Sequence, residues 1–330
     1  MVDYQELRRK IETLVDPGYK KQIGKVDGLK KLTVGPTGIV DVVIALKYPG
    51  SKDEINFKIE LTKLVKLELG FPGIKITFEK NDFLEKDEKK ITYIGIASGK
   101  GGVGKSTFTA NLAYSLTRLG KKVGIIDADV YGATIADIYG IPFEKPIATA
   151  NELMVPPTAS GIEIISTAFF VEDNKPVMWR GPMIGKLLDH YFNGVKWGDN
   201  IDYVLIDLPP GTGDTALDIN RFVPNAKMII ITTPHVNAAN VALKAGLGAV
   251  QIGHEIIGVV ENMSYYHNEC NNKKEFIFGQ GGGELVSHRL SVPLLGQIPI
   301  NQPDEGFLYE ADEEVGKIYD EISKMIIHLI

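Results

Sequence analysis

The sequence predicts an α/β fold, in which a mostly parallel sheet is flanked by helices, preceded by a small α+β domain. From residue 91 onward, apolar runs of five to seven residues alternate with helix-like stretches, as parallel β–α–β units require. Several of these runs are largely apolar, which is typical of strands buried on both faces. A run of mostly polar and charged residues, 81–90, interrupts the pattern and is predicted to link residues 1–80 to residues 91–330.

The spacing of apolar residues predicts the individual elements of both parts. In residues 1–80 these are, in order, a helix at Tyr4–Leu14, strands at Leu29–Val34 and Ile39–Leu46, a helix at Ile55–Leu69 and a strand at Ile74–Phe78. In residues 91–330 the predicted core strands are Tyr93–Ala97, Val123–Asp127, Ile162–Thr167, Tyr203–Asp207, Met228–Thr233, Ile256–Asn262 and Leu294–Ile298. Ligands of such sheets bind at the carboxyl ends of the strands, so polar motifs directly after these runs are the candidate site residues.

Composition limits the class of protein. The chain has 330 residues, of which 44% are hydrophobic, which is enough for about two domains with sizeable cores. We expect a cytoplasmic protein without a membrane partner, because no apolar stretch approaches about 20 residues and the amino terminus lacks a signal-peptide layout. The single cysteine, Cys270, excludes an intramolecular disulfide. Residues 1–90 carry 18 basic and 15 acidic residues, and residues 91–330 carry 18 and 27, so the larger part is acidic.

A glycine-rich loop with the sequence GKGGVGKST follows the first predicted strand of the larger part and precedes a helix-forming run. Its glycines let successive backbone N–H groups converge on a phosphate at the start of the helix near Ser106. In a G-x-x-x-x-G-K-[ST] motif, Lys105 reaches the β and γ phosphates and the Ser106 hydroxyl holds Mg²⁺. The predicted nucleotide-binding residues of this loop are Gly99, Lys100, Gly101, Gly102, Val103, Gly104, Lys105, Ser106 and Thr107.

Carboxylates end two of the predicted strands. Asp127 and Asp129 need not share one environment, so Asp127 is predicted to face the Mg²⁺ shell and Asp129 an attacking water; a solvated acidic turn is the alternative. Asp207 ends another strand and is predicted to hold a Mg²⁺-bound water. The proline- and glycine-rich residues 208–214 are predicted to form a switch loop that senses the γ-phosphate.

Lys100 distinguishes this loop from most phosphate-binding loops, because a second lysine among the glycines cannot easily reach the phosphates of its own loop. The arrangement resembles the deviant Walker A loop of the ParA/MinD/nitrogenase-iron-protein superclass. The resemblance implies an ATP-hydrolysing homodimer in which Lys100 reaches the partner's nucleotide and Asp129 activates water. It also assigns adenine recognition to Asn262 and Pro299, each at the end of a predicted strand; taken alone, Asn262 is equally typical of a turn.

The amino-acid sequences of several segments resemble, more specifically, the Mrp/NBP35 branch, the iron–sulfur cluster carrier ATPases. These segments are Val177–Met183, Trp197–Gly198, Ile201–Tyr203, Asp207–Asp214 and Glu261–Tyr265. Residues 1–80, with Asp16-Pro17-Gly18 after the first helix, resemble the MIP18-like domain of iron–sulfur assembly factors, although Tyr48-Pro49-Gly50-Ser51 stands where that family often has a cysteine. The resemblance implies apo iron–sulfur client proteins or other assembly factors as partners.

The chain departs from this branch at the cluster ligands. Cluster-carrying members place a C-x-x-C pair after the Asn-Met-Ser segment, so that two subunits hold one 4Fe–4S cluster; here Asn268 and Asn271 stand at those positions. Ligand count favours an exposed hairpin in which Cys270 is incidental, because a dimer offers only two thiolates; the alternative is that Cys270 and His267 supply substitute ligands. The alternative function is an ATP-switched regulator that binds DNA or a protein, although the acidic ATPase domain offers DNA no general attraction.

The carboxyl-terminal run 314–330 has helical periodicity. Its polar face is more acidic than basic, which disfavours an anionic membrane surface. We expect a helix that packs Ile318, Ile322, Met325 and Ile326 against the sheet.

Overall fold

The computed structural model describes residues 4–81, 91–149, 153–170, 181–211, 219–268 and 270–330. The chain divides into two compact units, Met1–Glu88 and Lys89–Ile330. The first unit has its own core, and the second has two, one on each face of its sheet. Residues 82–90 lie outside the described part, so their role as a linker stays a prediction. Asn81 is buried in the first unit, where its side-chain amide donates to the Val26 carbonyl at 2.9 Å.

The first unit packs helices against a three-stranded sheet. Its elements are α1 (Tyr4–Thr13), a 3₁₀ turn (Ile23–Val26), β1 (Leu29–Val34), β2 (Ile39–Leu46), α2 (Lys52–Lys63), a π-helical turn (Leu64–Glu68) and β3 (Gly73–Lys80). The strand order is β1-β2-β3, with β2 antiparallel to β1 and parallel to β3. The core joins Leu7 and Ile11 of α1 to Phe57 and Leu61 of α2 and to the inward side chains of β2.

The second unit alternates strands and helices. Its strands are β4 (Thr92–Ser98), β5 (Val123–Asp127), β6 (Ile147–Ala148), β7 (Met154–Val155), β8 (Thr158–Ala159), β9 (Ile162–Ser166), β10 (Tyr203–Asp207), β11 (Lys227–Thr232), β12 (Glu255–Glu261), β13 (Tyr266–Asn268), β14 (Lys273–Glu275) and β15 (Leu294–Gln297). Its helices are α3 (Lys105–Arg118), α4 (Ile135–Ile138), α5 (Gly181–Asn193), α6 (Val236–Gln251), α7 (Gly282–Leu290) and α8 (Glu314–Leu329).

Within the described residues, eight of these strands form one sheet in the order β15-β12-β11-β4-β10-β5-β9-β8. All neighbours are parallel except β8, which is antiparallel to β9. Side chains of α3, α4 and α8 pack on one face, and those of α5, α6 and α7 on the other. The predicted mostly parallel sheet flanked by helices is therefore confirmed, and the seven predicted strands end within one residue of the observed ones.

The carboxyl-terminal helix α8 shows one wrong prediction. Ile322 and Ile326 are buried as expected, but Met325 is 39% exposed and Tyr319 is buried instead. The Tyr319 ring lies 5.8 Å from the ring of Phe108 on α3. The helix thus turns a slightly different face to the core than its apolar residues alone indicate. No helix in the described part of the chain is both long enough and apolar enough to cross a membrane.

Candidate nucleotide-binding site

The glycine-rich loop connects the central strand β4 to α3, and Lys105 is the first residue of the helix. Gly102 and Gly104 have φ angles of 77° and 83°, in the left-handed region that favours glycine. Gly99 is required for a different reason, because a side chain there would collide with the backbone of α6 at Val241. The loop therefore has the backbone freedom and the close packing that a phosphate cradle needs.

Asp207, at the end of a central strand, contacts the residues that follow the glycine-rich loop. The strand β10 lies between β4 and β5, which puts its terminal carboxylate beside the first turn of α3. Lys105 Nζ lies 2.7 Å from Asp207 Oδ1, and Ser106 Oγ donates to Asp207 Oδ2 at 2.6 Å. Thr109, one turn further along α3, donates its hydroxyl to Asp207 Oδ1 at 3.0 Å. Asp207 and Lys105 are both buried.

The two carboxylates after β5 occupy different environments, as their separate predicted roles require. Asp127 is fully buried; its Oδ2 accepts from Ser166 Oγ at 3.0 Å and from the Ile135 N–H at 3.3 Å, whereas Oδ1 has no hydrogen-bond partner. Burial, followed by the charge of Asp207, raises the pKa of Asp127 to about 8.

Asp129 is partly exposed, and its Oδ2 lies 3.8 Å from Lys105 Nζ. Burial raises the pKa of Asp129, against the opposing effect of the Lys105 charge. The Gly132 N–H donates to the Asp129 backbone carbonyl at 3.1 Å, so a local turn fixes the backbone beside this carboxylate. Asp129 therefore lies on the exposed side of Lys105, where a phosphate chain and a water molecule can approach it.

The donor set beside the loop fits Mg²⁺. It consists of the Ser106 hydroxyl and the carboxylates of Asp207 and Asp127, all hard oxygen ligands, and Asp127 Oδ1 is a buried acceptor that a metal-bound water would satisfy. In the described residues, no group of three or more His, Cys, Asp or Glu side chains could hold a metal ion. Mg²⁺ usually takes one or two carboxylates together with waters and phosphate oxygens.

Asn262 and Pro299 lie at the carboxyl ends of β12 and β15. Asn262 Nδ2 donates to the carbonyl of Val103 in the glycine-rich loop at 2.8 Å. Pro299 is buried, and the residues on either side of it donate their N–H groups to the Glu261 and Tyr265 carbonyls at 2.8 and 2.7 Å. The structure thus brings both residues to the edge of the sheet that carries the loop.

Two further predicted residues lie at the rim of the site. Lys100 is exposed, and its backbone carbonyl accepts a hydrogen bond from Ser98 Oγ at 3.0 Å. Thr107 is also exposed, and its carbonyl accepts from Asn111 Nδ2 at 3.0 Å. The predicted switch loop is described only to Gly211, whose N–H donates to the Ser98 carbonyl at 3.0 Å; residues 212–218 and 171–180 lie outside the described part.

The structure adds site residues that the motifs did not indicate. Thr109 bonds Asp207, Ser166 bonds Asp127, and Glu261 is a buried carboxylate next to Asn262. A helical offset of three residues from Ser106 is the only sequence signal that could have indicated Thr109. Ser166 ends a strand paired in register with β5, so that Asp127 lies opposite it. Only knowledge of the strand order could have predicted that contact.

Cys270 lies on the hairpin formed by β13 and β14, and its thiol is free and exposed. Asn268 accepts from the Cys270 N–H at 3.0 Å and donates to Glu275 at 2.7 Å, while Asn271 accepts from the Lys273 N–H at 2.9 Å. The two asparagines at the expected cysteine positions therefore stabilise the hairpin. His267 is not directed at Cys270: its Nε2 lies 2.7 Å from Asn272 Oδ1 and its Nδ1 3.7 Å from Glu314.

Comparison with known protein families identifies the family to which this chain belongs. The model of the ParA family described as NUBPL iron-transfer P-loop NTPase matches residues 89–327. The chain belongs to this family. The iron–sulfur cluster carrier protein of Bacillus subtilis (strain 168) is 39% identical to this ParA/NUBPL chain in a gapped alignment 349 positions long, which covers 99% of the chain and 98% of that protein. The iron–sulfur cluster carrier protein of Mycobacterium tuberculosis (strain H37Rv) is 36% identical, covering 89% and 83%.

Known structures agree with this ParA/NUBPL assignment. A nucleotide-binding protein from Archaeoglobus fulgidus, in complex with ADP, matches with a TM-score of 0.54 and 30% identity over 71% of the chain and 87% of that protein. The septum site-determining protein MinD from Pyrococcus horikoshii, complexed with Mg-ADP, has a TM-score of 0.54 at 22% identity, over 72% and 96%, and supports the fold alone. The predicted Mrp/NBP35 resemblance and P-loop NTPase fold are confirmed.

Proposed function

We propose that this ParA/NUBPL family member is an Mg²⁺-dependent ATPase that acts in iron–sulfur cluster transfer. The observation that carries the proposal is the convergence of Lys105, Ser106 and Thr109 on the buried carboxylate of Asp207. A phosphate-loop lysine, a hydroxyl ligand and a strand-end carboxylate within hydrogen-bonding distance are the parts that phosphoryl transfer requires. The near full-length similarity to proteins named iron–sulfur cluster carriers supports the cellular role.

The residues of the site have separate roles in ATP hydrolysis. With a nucleotide bound, Lys105 would face the β and γ oxygens, and Ser106, Asp207 and Asp127 would form the Mg²⁺ site; the ion would supply charge neutralisation at the phosphates. Asp129, 3.8 Å from Lys105 Nζ, orients the attacking water. Its raised pKa favours acceptance of a proton from that water.

The proposal includes a homodimer, in which Lys100 reaches the nucleotide of the partner subunit. Lys100 is exposed at the rim of the loop, whereas Lys105 is buried beside Asp207. Lys105 is therefore proposed to contact the nucleotide of its own subunit, and Lys100 the nucleotide of the partner subunit. Asn262 and Pro299 are proposed to contact the adenine.

The described residues do not fit a 4Fe–4S cluster with four protein thiolates. The chain has one cysteine, so a homodimer offers two thiolates, and none of the described residues completes the set around Cys270. As cargo, a cluster would need further ligands from a client protein, an assembly factor or a small thiol. The hydrogen bonds of Asn268 and Asn271 favour a second candidate function, an ATP-switched binder of DNA or protein whose hairpin has no metal ligands.

Two substitutions test the ATPase. Lys105→Ala should abolish nucleotide binding, and Asp129→Ala should keep ATP affinity while losing turnover by about 100-fold or more, since it removes the water-orienting group. ATP binding is measured by calorimetry and turnover by phosphate release. Lys317→Ala and Asp137→Ala, exposed residues away from the loop, are the matched controls. Normal ATP affinity in Lys105→Ala would refute the site.

Anaerobic reconstitution with iron and sulfide tests the cargo. Iron and sulfide are counted per dimer, and visible spectra are recorded, for the wild type and Cys270→Ser. A stoichiometric cluster that is lost in Cys270→Ser supports the carrier function with Cys270 as a ligand. If neither protein holds a cluster, the second candidate is favoured, and ATP-dependent, salt-sensitive retention of duplex DNA then separates a DNA partner from a protein partner.

A further inference from the structure

Glu261, the last residue of β12, is a buried carboxylate with only 1% of its surface exposed. Three donors from three different segments surround it. Ser264 Oγ donates to Oε1 at 2.5 Å from the loop after β12, and Gln297 Nε2 donates to the same oxygen at 2.9 Å from the end of β15. The N–H of Gly283, in the first turn of α7, donates to Oε2 at 2.6 Å.

None of these three donors is a basic side chain. Hydrogen bonds to a charged acceptor are roughly twice as strong as neutral ones, and the amino-terminal end of α7 favours an anion. A buried carboxylate that accepts three such bonds therefore fixes the relative positions of its donors. Glu261 joins the ends of two parallel strands to the start of the helix that packs behind them.

The segments that Glu261 joins are those that carry the two proposed adenine contacts. Asn262 is the next residue, and Pro299 follows two residues after Gln297. The backbone of Glu261 reinforces the connection, because its carbonyl accepts from the Ile298 N–H at 2.8 Å. One residue thus holds both sides of the proposed base pocket.

The backbone turn after Asn262 has an uncommon conformation, and hydrogen bonds to Glu261 help to stabilise it. Met263 has a φ angle of 55°, in the left-handed region where a residue with a long side chain is uncommon. The next residue, Ser264, is held by its hydroxyl on Glu261 and by its N–H on the Ile298 carbonyl at 2.8 Å. The Asn262 amide then reaches the Val103 carbonyl at 2.8 Å, so its position depends on this turn.

We propose that Glu261 is a positioning residue that sets adenine selectivity by fixing Asn262 against Pro299. This inference rests on the proposed function, and Glu261 itself does not touch the nucleotide. An asparagine amide has an acceptor and a donor at fixed places, so it discriminates a 6-amino from a 6-oxo purine only while its orientation is held. Glu261 provides that restraint.

Glu261→Gln is the sharpest test, because it keeps the shape and changes one acceptor into a donor. Whichever way the amide is turned, its NH₂ group faces either the Gly283 N–H or the Ser264 and Gln297 donors. The ratio of the Kd for GTP to the Kd for ATP should fall by about three- to tenfold, which corresponds to the loss of one neutral hydrogen bond between the Asn262 amide and the base. The kcat at saturating ATP should stay within about twofold, because the phosphate-binding residues are unchanged.

The measurement is calorimetric binding of ATP and of GTP to the full chain, followed by steady-state hydrolysis. Glu163→Gln is the matched control, since Glu163 also accepts from a backbone N–H, that of Gly198 at 2.9 Å, and lies on β9. If Glu261→Gln does not fold, Ser264→Ala removes a single donor and should lower the same ratio, by less.

The outcomes separate this inference from the function on which it rests. A wild type that prefers ATP, together with a Glu261→Gln variant that keeps the same preference, overturns the role of Glu261 alone. A loss of kcat with unchanged selectivity overturns it as well. A wild type that binds ATP and GTP equally overturns base recognition at this pocket, and the role of Glu261 with it.

Discussion

At the scale of single residues, the unusual group is Asp127, which is buried with one carboxylate oxygen unpartnered and a pKa raised to about 8. The ordinary aspartate pKa is about 3.9. Without Mg²⁺, the folded protein keeps a proton on Asp127 that the unfolded chain releases above pH 4. The resulting stabilisation is complete below pH 4 and is lost as the pH rises through 8.

We therefore predict that Asp127→Asn flattens the pH dependence of stability. Without Mg²⁺, the free energy of unfolding of the wild type should fall between pH 5 and pH 8, with this residue contributing a slope of at most about 1.4 kcal/mol per pH unit. An asparagine does not titrate and should remove that slope. Urea unfolding at several pH values measures it, with Asp137→Asn as the exposed control. Parallel profiles for wild type and Asp127→Asn would contradict the prediction.

The sequence predicts the residues of the site better than their partners. The loop, Asp127, Asp129 and Asp207 follow from motifs and from their positions after apolar runs. Contacts such as Ser166 with Asp127 depend on which strands are neighbours, and an apolar run does not encode its place in the sheet. The hydrogen bonds of Glu261 could not be predicted for the same reason, because its donors come from residues 264, 283 and 297.

At the scale of elements, α3 is fixed to the chain that follows β15. Asn111 on α3 accepts from the Tyr309 N–H at 2.8 Å and donates to the Phe307 carbonyl at 3.2 Å. The side-chain amide thus pairs with the backbone of this segment as a neighbouring strand would. Arg118 adds a bond to the Tyr309 carbonyl at 2.7 Å, so the middle and the carboxyl-terminal end of α3 both hold the segment.

We predict that Asn111→Leu destabilises the second unit by about 2 to 3 kcal/mol, because it leaves the Tyr309 N–H and the Phe307 carbonyl without their partner. Urea unfolding of the full chain measures the change. Asn193→Leu is the control, since Asn193 is exposed and its amide contacts Asp189 on the same helix, at 2.9 Å. Equal losses in both variants would show that the amide of Asn111 has no special role.

The orientation of α8 shows why periodicity alone was insufficient at this scale. The apolar stripe predicts a buried face, but polar contacts with α3 select its rotation. Asp320 pairs with Arg118 at 2.6 Å, and the buried Ser323 donates to Ser115 at 2.8 Å. These contacts turn Tyr319 inward and leave Met325 outside. Polar pairs between helices far apart in the chain leave no periodic signal.

At the scale of the whole molecule, the predicted assembly is a nucleotide-dependent dimer. Lys100→Ala should leave the fold intact and weaken ATP-dependent dimerisation by about tenfold or more, because it removes a charged contact to the partner's phosphates. Sedimentation with ATP and Mg²⁺, in an Asp129→Ala background that slows turnover, measures the dimer constant. Lys317→Ala is the control. Normal dimerisation of Lys100→Ala would indicate an ordinary Walker A loop.

The direct pairing of Lys105 with Asp207 has a consequence for which anions the loop accepts. The lysine charge is already balanced inside the protein, so an arriving anion must compete with a buried carboxylate. Inorganic phosphate alone offers no cation to replace Lys105 beside Asp207, whereas a nucleotide with Mg²⁺ would offer one. We expect ADP with Mg²⁺ to raise the thermal unfolding midpoint at concentrations where phosphate alone leaves it unchanged; equal stabilisation would contradict this. We therefore expect the internal ion pair to disfavour small anions relative to a ligand that carries its own counterion.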